Sequence, residues 1–311
     1  SLMKHFVNIK DIPTSDLKKI ISDAKRRKQT RKNFSTLDID KDKPLKGKLL
    51  IQMFEKSSLR TRLSFYLAIR QLGGGVLTLR PDELHLTKGG ESLSDTAKIL
   101  STYGNIFMLR TDSDKKIEVF QKHLKIPLVN GLSPSSHPTQ ILSDIFTIEE
   151  IKKKKISKLH ICWIGDSNNV LNSLIEASVK FSFKLNVGCP KKYEPNKLLL
   201  NWATNNNGKI KIFNNPKKAI INADVVLTDK VISMNDKVNK LKKMKDFKNF
   251  KLNSSLMSLA SKNVILLHCL PRGEEVSDEV FNSTQSKVWQ QALNRVYVQK
   301  SILLYCFDKL R

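Results

Sequence analysis

Apolar residues follow two alternating patterns along this chain, and the alternation predicts its architecture. Short apolar runs of strand length stand at residues 48–53, 76–79, 105–110 and 126–130 in the first half. They recur at 160–164, 185–188, 210–213, 225–228 and 264–267 in the second. Between them lie stretches with apolar positions at helical spacing: 17–24 after the start signal Pro13-Thr14-Ser15-Asp16, then 65–72, 91–100 with Ser92 as cap, 112–123, 141–151 and 170–181. Residues 236–251 read as a lysine-rich surface helix with a loop, and 294–307 as a closing helix. Buried strands alternating with helices predict an α/β fold built on parallel sheets. The lysine run at 152–158 interrupts the alternation and marks a domain junction, so the expected fold has two domains, each a parallel-sheet βα sandwich.

One turn stands out. Met53-Phe-Glu-Lys-Ser-Ser-Leu-Arg-Thr-Arg-Leu-Ser64 joins the apolar run 49–51 to a helix stopped by Gly73-Gly74-Gly75. A helix start presents free N–H groups and a positive dipole end, which together favour an anion. Ser58 and Thr61 add hydroxyls, and Arg60 and Arg62 add guanidiniums suited to bidentate phosphate contacts. The alternative is an ordinary capped helix with solvated arginines. Arg110 ends the next strand but one, and His137 and Gln140 lie in a turn-rich loop, 131–140, after the strand that follows. In a parallel sheet, ligands bind beyond the carboxyl ends of strands, so these residues can converge. A histidine and a glutamine there suit hydrogen bonds to a carbonyl.

The second half offers less. Gly165-Asp-Ser-Asn-Asn169 stands where a dinucleotide fingerprint would, but Ser167 takes the place of its second glycine, which disfavours a nicotinamide enzyme. Asp229 ends a strand, where it serves equally as an ammonium ligand or a turn former. Cys269, in His268-Cys-Leu-Pro-Arg272, has no sequence neighbour that marks it as a nucleophile.

Composition narrows the class. The chain has 311 residues, 40% of them hydrophobic, enough for two domains with real cores. No apolar run approaches the roughly 20 residues that span a bilayer. Ser1-Leu2 ahead of Met3 reads as an expression scar, and no signal-peptide core follows, so the expected compartment is the cytoplasm. The net charge is +26, but 44 lysines against 11 arginines, without aromatic interleaving, describe a solvated lysine-rich surface rather than a nucleic-acid reader. The charge still attracts anionic substrates. Cys162, Cys189, Cys269 and Cys306 are too far apart for a zinc or disulfide framework.

Six motifs in order resemble the aspartate/ornithine carbamoyltransferase family: Phe54-Glu-Lys-Ser-Ser-Leu-Arg-Thr-Arg62, Glu91-Ser-Leu-Ser-Asp-Thr-Ala97, His137-Pro-Thr-Gln140, Trp163-Ile-Gly-Asp-Ser-Asn-Asn169, Asp229 with Ser233-Met234, and His268-Cys-Leu-Pro-Arg272. The resemblance implies a carbamoyl phosphate-binding domain at 1–147, with the C-terminal helix 293–311 packing back on it, and an ornithine-binding domain at 148–292. The implied reaction moves the carbamoyl group of carbamoyl phosphate to the δ-amine of L-ornithine, giving L-citrulline and phosphate, in arginine biosynthesis or, reversed, citrulline breakdown. It uses no metal or organic cofactor. Relatives acting on acetylornithine, succinylornithine or putrescine define the alternative. By the resemblance, Ser58, Leu59, Arg60, Thr61 and Arg110 form the phosphate cradle, and His137, Gln140 and Arg295 handle the carbamoyl group. His85 matches a loop residue that reaches a neighbouring subunit's site in a homotrimer. Asn169, Asp229, Ser233 and Met234 match residues that hold the amino-acid end, and Cys269 and Leu270 ones that flank the δ-amine. Leu59 stands where ornithine enzymes usually carry threonine, and Ser167 and Asn235 where a glycine is usual.

Overall fold

A computed structural model describes residues 3–84, 92–233 and 239–311. The chain divides into two compact units, Ser1–Phe146 with Leu293–Arg311, and Thr147–Ala292. In chain order the first unit runs α1 (Thr14–Gln29), β1 (Leu49–Phe54), α2 (Leu59–Gln71), β2 (Gly75–Leu79), α3 (Leu93–Tyr103), β3 (Ile106–Arg110), α4 (Asp114–His123), β4 (Leu128–Leu132) and α5 (Pro138–Lys152), whose last turns enter the second unit. The second unit continues with β5 (His160–Ile164), α6 (Asn169–Lys180), β6 (Lys184–Gly188), α7 (Lys197–Asn205), β7 (Lys209–Phe213), α8 (Pro216–Ile220), β8 (Val225–Thr228), α9 (Lys240–Asp246), α10 (Ser254–Met257), β9 (Ile265–His268) and α11 (Asp278–Phe281). Helix α12 (Val288–Cys306) returns the chain to the first unit.

Among the described residues the first unit holds a four-stranded sheet in the order β2-β1-β3-β4, and the second a five-stranded sheet in the order β7-β6-β5-β8-β9. Every pairing within both is parallel. Apart from the edge strands β2 and β7, the strands are largely buried on both faces, hence their near-continuous apolar runs. In each sheet the order reverses once, between β1 and β3 and between β5 and β8. Helices leave to opposite sides of the sheet at such a point, which opens a crevice at the strands' carboxyl ends.

Four expectations shift in detail. Helix α2 begins at Leu59 rather than 65, because Ser58 caps it by accepting from the Thr61 N–H at 3.2 Å. Strand β4 runs on to Leu132, beyond the expected stop at 130, through an irregular register at Leu109 and Arg110. Gly131 makes that possible: a Cβ there would lie 2.3 Å from the Met108 sulfur. Helix α5 starts at Pro138, a residue preorganised for the first turn, so Gln140 is helical rather than in a loop. Within 236–251, α9 is only seven residues long, and its Lys243 is buried in an ion pair with Asp166 at 2.8 Å. Helix α7 has no counterpart among the expected elements, yet a parallel β6–β7 pair requires a crossover of that kind. Residues 85 and 234–236 lie outside the described residues. No helix among the described residues is long and apolar enough to cross a membrane.

A buried ionic cluster ties α12 to the first unit. The Asp40 carboxylate, 4% exposed, accepts from Arg27, Arg31 and Lys300, each at 2.9 Å. Lys300 also donates to Gln71 Oε1 at 3.0 Å, and Ser301 donates to Asp23 at 2.7 Å. Burial pulls the Lys300 ammonium down to about 8 against the pull of Asp40. A buried cation without its counter-ion is costly, so Asp40→Asn should lower stability by about 3–5 kcal/mol in denaturant melts. A loss below about 1 kcal/mol would show that the cluster does not hold the helix.

Candidate functional site

In the first unit the crevice between β1 and β3 gathers cations around one hydroxyl. Thr61 is fully buried in the first turn of α2. Its Oγ1 accepts from Arg110 Nη1 at 3.0 Å and from Arg295 Nη2 at 3.0 Å. Arg110 arrives from the end of β3 and Arg295 from α12. A threonine hydroxyl has two acceptor positions and one donor, so its hydrogen is the bonding position these contacts do not use. No acidic residue stands in the first turn of α2, so the positive dipole end is uncompensated there. Arg60 is half-buried in the same turn, whereas Leu59 is 68% exposed and Arg62 is exposed.

His137 is 5% exposed just before α5. Burial, then the charges of Arg295 and Arg110, hold its imidazole well below the usual histidine range, so it is neutral at physiological pH. Gln140, also buried, donates from Nε2 to Asp144 at 2.9 Å, which orients its amide. Glu55, just past β1, accepts from the Thr111 hydroxyl at 2.5 Å and pairs with Lys116, pinning the β1 and β3 ends together. The structure therefore brings Thr61, Arg110, His137 and Arg295 together. Ser58 spends its oxygen on the cap, leaving its O–H as its donor.

The second unit builds its site around a carboxylate. Asp229 follows β8 at the switch point of the sheet. Its Oδ2 accepts from Asn168 Nδ2 at 2.7 Å, and its Oδ1 from the Lys230 N–H at 2.7 Å and the Cys269 thiol at 2.9 Å. Cys269 follows β9 and is half-buried, whereas Cys162, Cys189 and Cys306 are buried and burial pushes their thiols up. His268 shapes the loop that carries Cys269 and Leu270. Its Nδ1 accepts from the Leu270 N–H at 2.8 Å, and its Nε2 faces Glu275 at 2.9 Å. Glu275 is further bonded by the N–H groups of Gly273 and Val231 at 2.7 and 3.3 Å. Burial raises its carboxyl, but His268 and the Gly273 N–H outweigh burial and hold it below the usual range.

Gly165 follows β5 at φ +151°, with Thr228 Oγ1 3.1 Å from where a Cβ would sit. Ser167, in the usual glycine position, donates to the Tyr193 carbonyl. Asn169 opens α6, and Ser233 is exposed. His85, Met234 and Asn235 lie outside the described residues. Sequence reasoning missed Asn168, Glu55 and Glu275; for Asn168 the signal was a capping residue ahead of a strong helix pattern.

Among the described residues, Asp229, His268 and Cys269 each place a potential ligand atom within 4.8 Å of the others. They bond one another and protein neighbours: the thiol donates to Asp229, Asn168 donates to Asp229, and His268 bonds the Leu270 N–H and the Glu275 carboxylate. The first unit thus offers a buried and a half-buried guanidinium with a neutral imidazole, fit for a phosphorylated carbonyl compound. The second offers an oriented carboxylate, fit for an ammonium.

A family model described as "Aspartate/ornithine carbamoyltransferase, carbamoyl-P binding domain" matches residues 4–150, and its companion, "Asp/Orn binding domain", matches residues 157–306. The chain is 40% identical over 305 residues to a protein named ornithine carbamoyltransferase from Agrobacterium fabrum, covering 97% of each. It is similar in structure to the ornithine carbamoyltransferase from Pyrococcus furiosus, with a TM-score of 0.89, 35% identity and 98% of each chain covered. It is also similar to the anabolic ornithine carbamoyltransferase from Campylobacter jejuni, with a TM-score of 0.88, 34% identity, and 99% and 100% covered. The chain belongs to the aspartate/ornithine carbamoyltransferase family.

Proposed function

We propose that this protein transfers the carbamoyl group of carbamoyl phosphate to the δ-amine of L-ornithine, giving L-citrulline and phosphate. The observation that carries this reading is the meeting of Arg110 and Arg295 on the Thr61 hydroxyl, beside a neutral His137 and a helix start. Arg60, Arg110, the hydroxyls of Ser58 and Thr61, and the free N–H groups of α2 hold the phosphate. His137, Gln140 and Arg295 address the carbamoyl oxygen and amide. A neutral imidazole donates an N–H to the developing oxyanion without adding a third charge beside two guanidiniums. Asp229, with Asn169, Ser233 and Met234, holds the amino-acid end through its α-ammonium, and Cys269 and Leu270 flank the δ-amine.

The nitrogen lone pair attacks the carbonyl carbon. The bond from that carbon to the phosphate oxygen breaks, with its electron pair leaving on phosphate, and the nitrogen gives up its extra proton to the departing phosphate. Only a neutral amine attacks, and its ordinary pKa is near 10.4. The cations that hold the phosphate disfavour a further charge on the amine and stabilise the leaving group. The step is neither oxidative nor reductive, and the proposal invokes no cofactor.

The proposed assembly is a homotrimer with shared sites, in which a loop carrying His85 reaches the neighbouring copy. An exposed apolar face on α2, Leu59 at 68%, Leu63 at 52% and Tyr66 at 41%, supports a partner surface on the first unit. The proposed setting is the cytoplasm.

Purified protein supplied with carbamoyl phosphate should use L-ornithine at least about 100-fold better, in kcat/KM, than acetylornithine, succinylornithine or putrescine, a gap of about 2.7 kcal/mol. Turnover confined to an acylated ornithine would replace this acceptor. Arg60→Ala should raise the KM for carbamoyl phosphate about 10–100-fold, the worth of a charged hydrogen bond or two. An unchanged KM would remove Arg60 from the cradle. Because His137 stays neutral, the rise of rate between about pH 6 and 9 should follow the amine. His137→Gln should lower kcat about 100-fold while leaving that slope intact. An inflection near pH 6.5 that the variant abolishes would contradict a neutral histidine.

A further inference from the structure

Helix α6 needs a cap, and Asp229 needs holding; one side chain does both. Asn168 is the N-cap of α6, in extended conformation, and its Oδ1 accepts from the Leu171 N–H at 3.1 Å. That bond decides which end of the amide faces where. The Nδ2 end points to Asp229 and donates to Oδ2 at 2.7 Å, the length of a charge-assisted hydrogen bond. The other carboxylate oxygen accepts from the Lys230 N–H and the Cys269 thiol. Donors from the turns after β5, β8 and β9 therefore converge on one carboxylate.

Capping alone does not call for asparagine here. Serine or aspartate would satisfy the Leu171 N–H about as well. What they lack is a donor at the other end. A serine hydroxyl is too short to reach Asp229 while it caps, and an aspartate would set a second negative charge against the first. Only a short side chain with an acceptor and a donor on one rigid plane does both jobs.

We propose that Asn168 is the positioning residue for Asp229, turning its carboxylate toward the α-ammonium of the amino-acid acceptor; this rests on the ornithine reading above. Asn168 need not touch the substrate. It couples the start of α6 to the orientation of the charge that recognises the acceptor, so its loss weakens acceptor binding and spares carbamoyl phosphate, whose proposed ligands lie in the other unit.

The experiment compares Asn168→Ser, which keeps a cap and loses the donor, with Asn168→Ala, which loses both. KM for L-ornithine, KM for carbamoyl phosphate, kcat and Tm are measured for each. The Kd of L-norvaline, which keeps the α-ammonium but lacks the δ-amine, is measured by calorimetry with carbamoyl phosphate present. Asn168→Ser should raise the ornithine KM and the norvaline Kd about tenfold or more. Its kcat and carbamoyl phosphate KM should stay within about twofold, and its Tm within about 2 °C. Asn168→Ala should show the same acceptor loss and a lower Tm. Wild-type acceptor affinity in Asn168→Ser would overturn the proposal, as would an equal loss for carbamoyl phosphate. A wild-type protein that leaves ornithine untouched fails the functional reading before any variant is compared. Ornithine turnover with an unaffected Asn168→Ser fails only the role of Asn168.

Discussion

Two guanidiniums donating to one buried hydroxyl is the constraint on which the first unit depends. Each lies 3.0 Å from Thr61 Oγ1, so their nitrogens are within about 6 Å of each other. Two like charges at that separation repel by about 3 kcal/mol at an effective dielectric of 20. The fold carries that repulsion because each arginine is anchored on its own element, one at a strand end and one on a long helix. His137 responds to the same field by staying neutral. An anion set between them would relieve that repulsion, which is why the proposed phosphate site suits this place. Preorganisation of this kind spends stability to gain affinity and orientation.

The two units solve the same topological problem with opposite charge. Each sheet reverses its strand order once, and each site lies at that reversal, on the carboxyl side of the strands. In the first unit, cations surround a hydroxyl and a neutral ring. In the second, three donors converge on an acidic group and leave it fixed in direction. On the proposed reading, a phosphorylated donor and an amino-acid acceptor would be sorted by the sign of the field before any shape is read.

Much of this was legible in the chain because it depends on local pattern. The strands announced themselves as apolar runs, and Arg110 at the end of one of them located the crevice. Ser58 was read as a hydroxyl beside a helix start, which it is, but its oxygen goes to the cap. The resemblance makes Thr61 a phosphate ligand, yet it first serves as an acceptor for two arginines, one of them 234 residues away. Long-range partners of that sort leave no local trace, and the Asp40 cluster is the extreme case, since Lys300 is 260 residues distant. Asn168 does not stand out in the sequence because its neighbour Asn169 has identical chemistry; the backbone conformation at the start of α6 separates the cap from the first helical residue. Lys243 looked like one more surface lysine among forty-four until its pairing with Asp166 buried it.

The return of α12 to the first unit also has a meaning for how the molecule is made. Asp40, Asp23, Gln71 and Thr61 are all translated early, and each waits for a partner between Arg295 and Ser301. The whole second unit, Thr147–Ala292, is synthesised in between. Domains generally fold as they emerge, N-terminal first, but in this first unit Asp40 has only Arg27 and Arg31 until Lys300 is made, and Asp23 lacks the Ser301 hydroxyl as long. The unit that begins on the ribosome first is therefore the one finished last, and the meeting of Arg110 and Arg295 on Thr61 cannot assemble on a partly made chain.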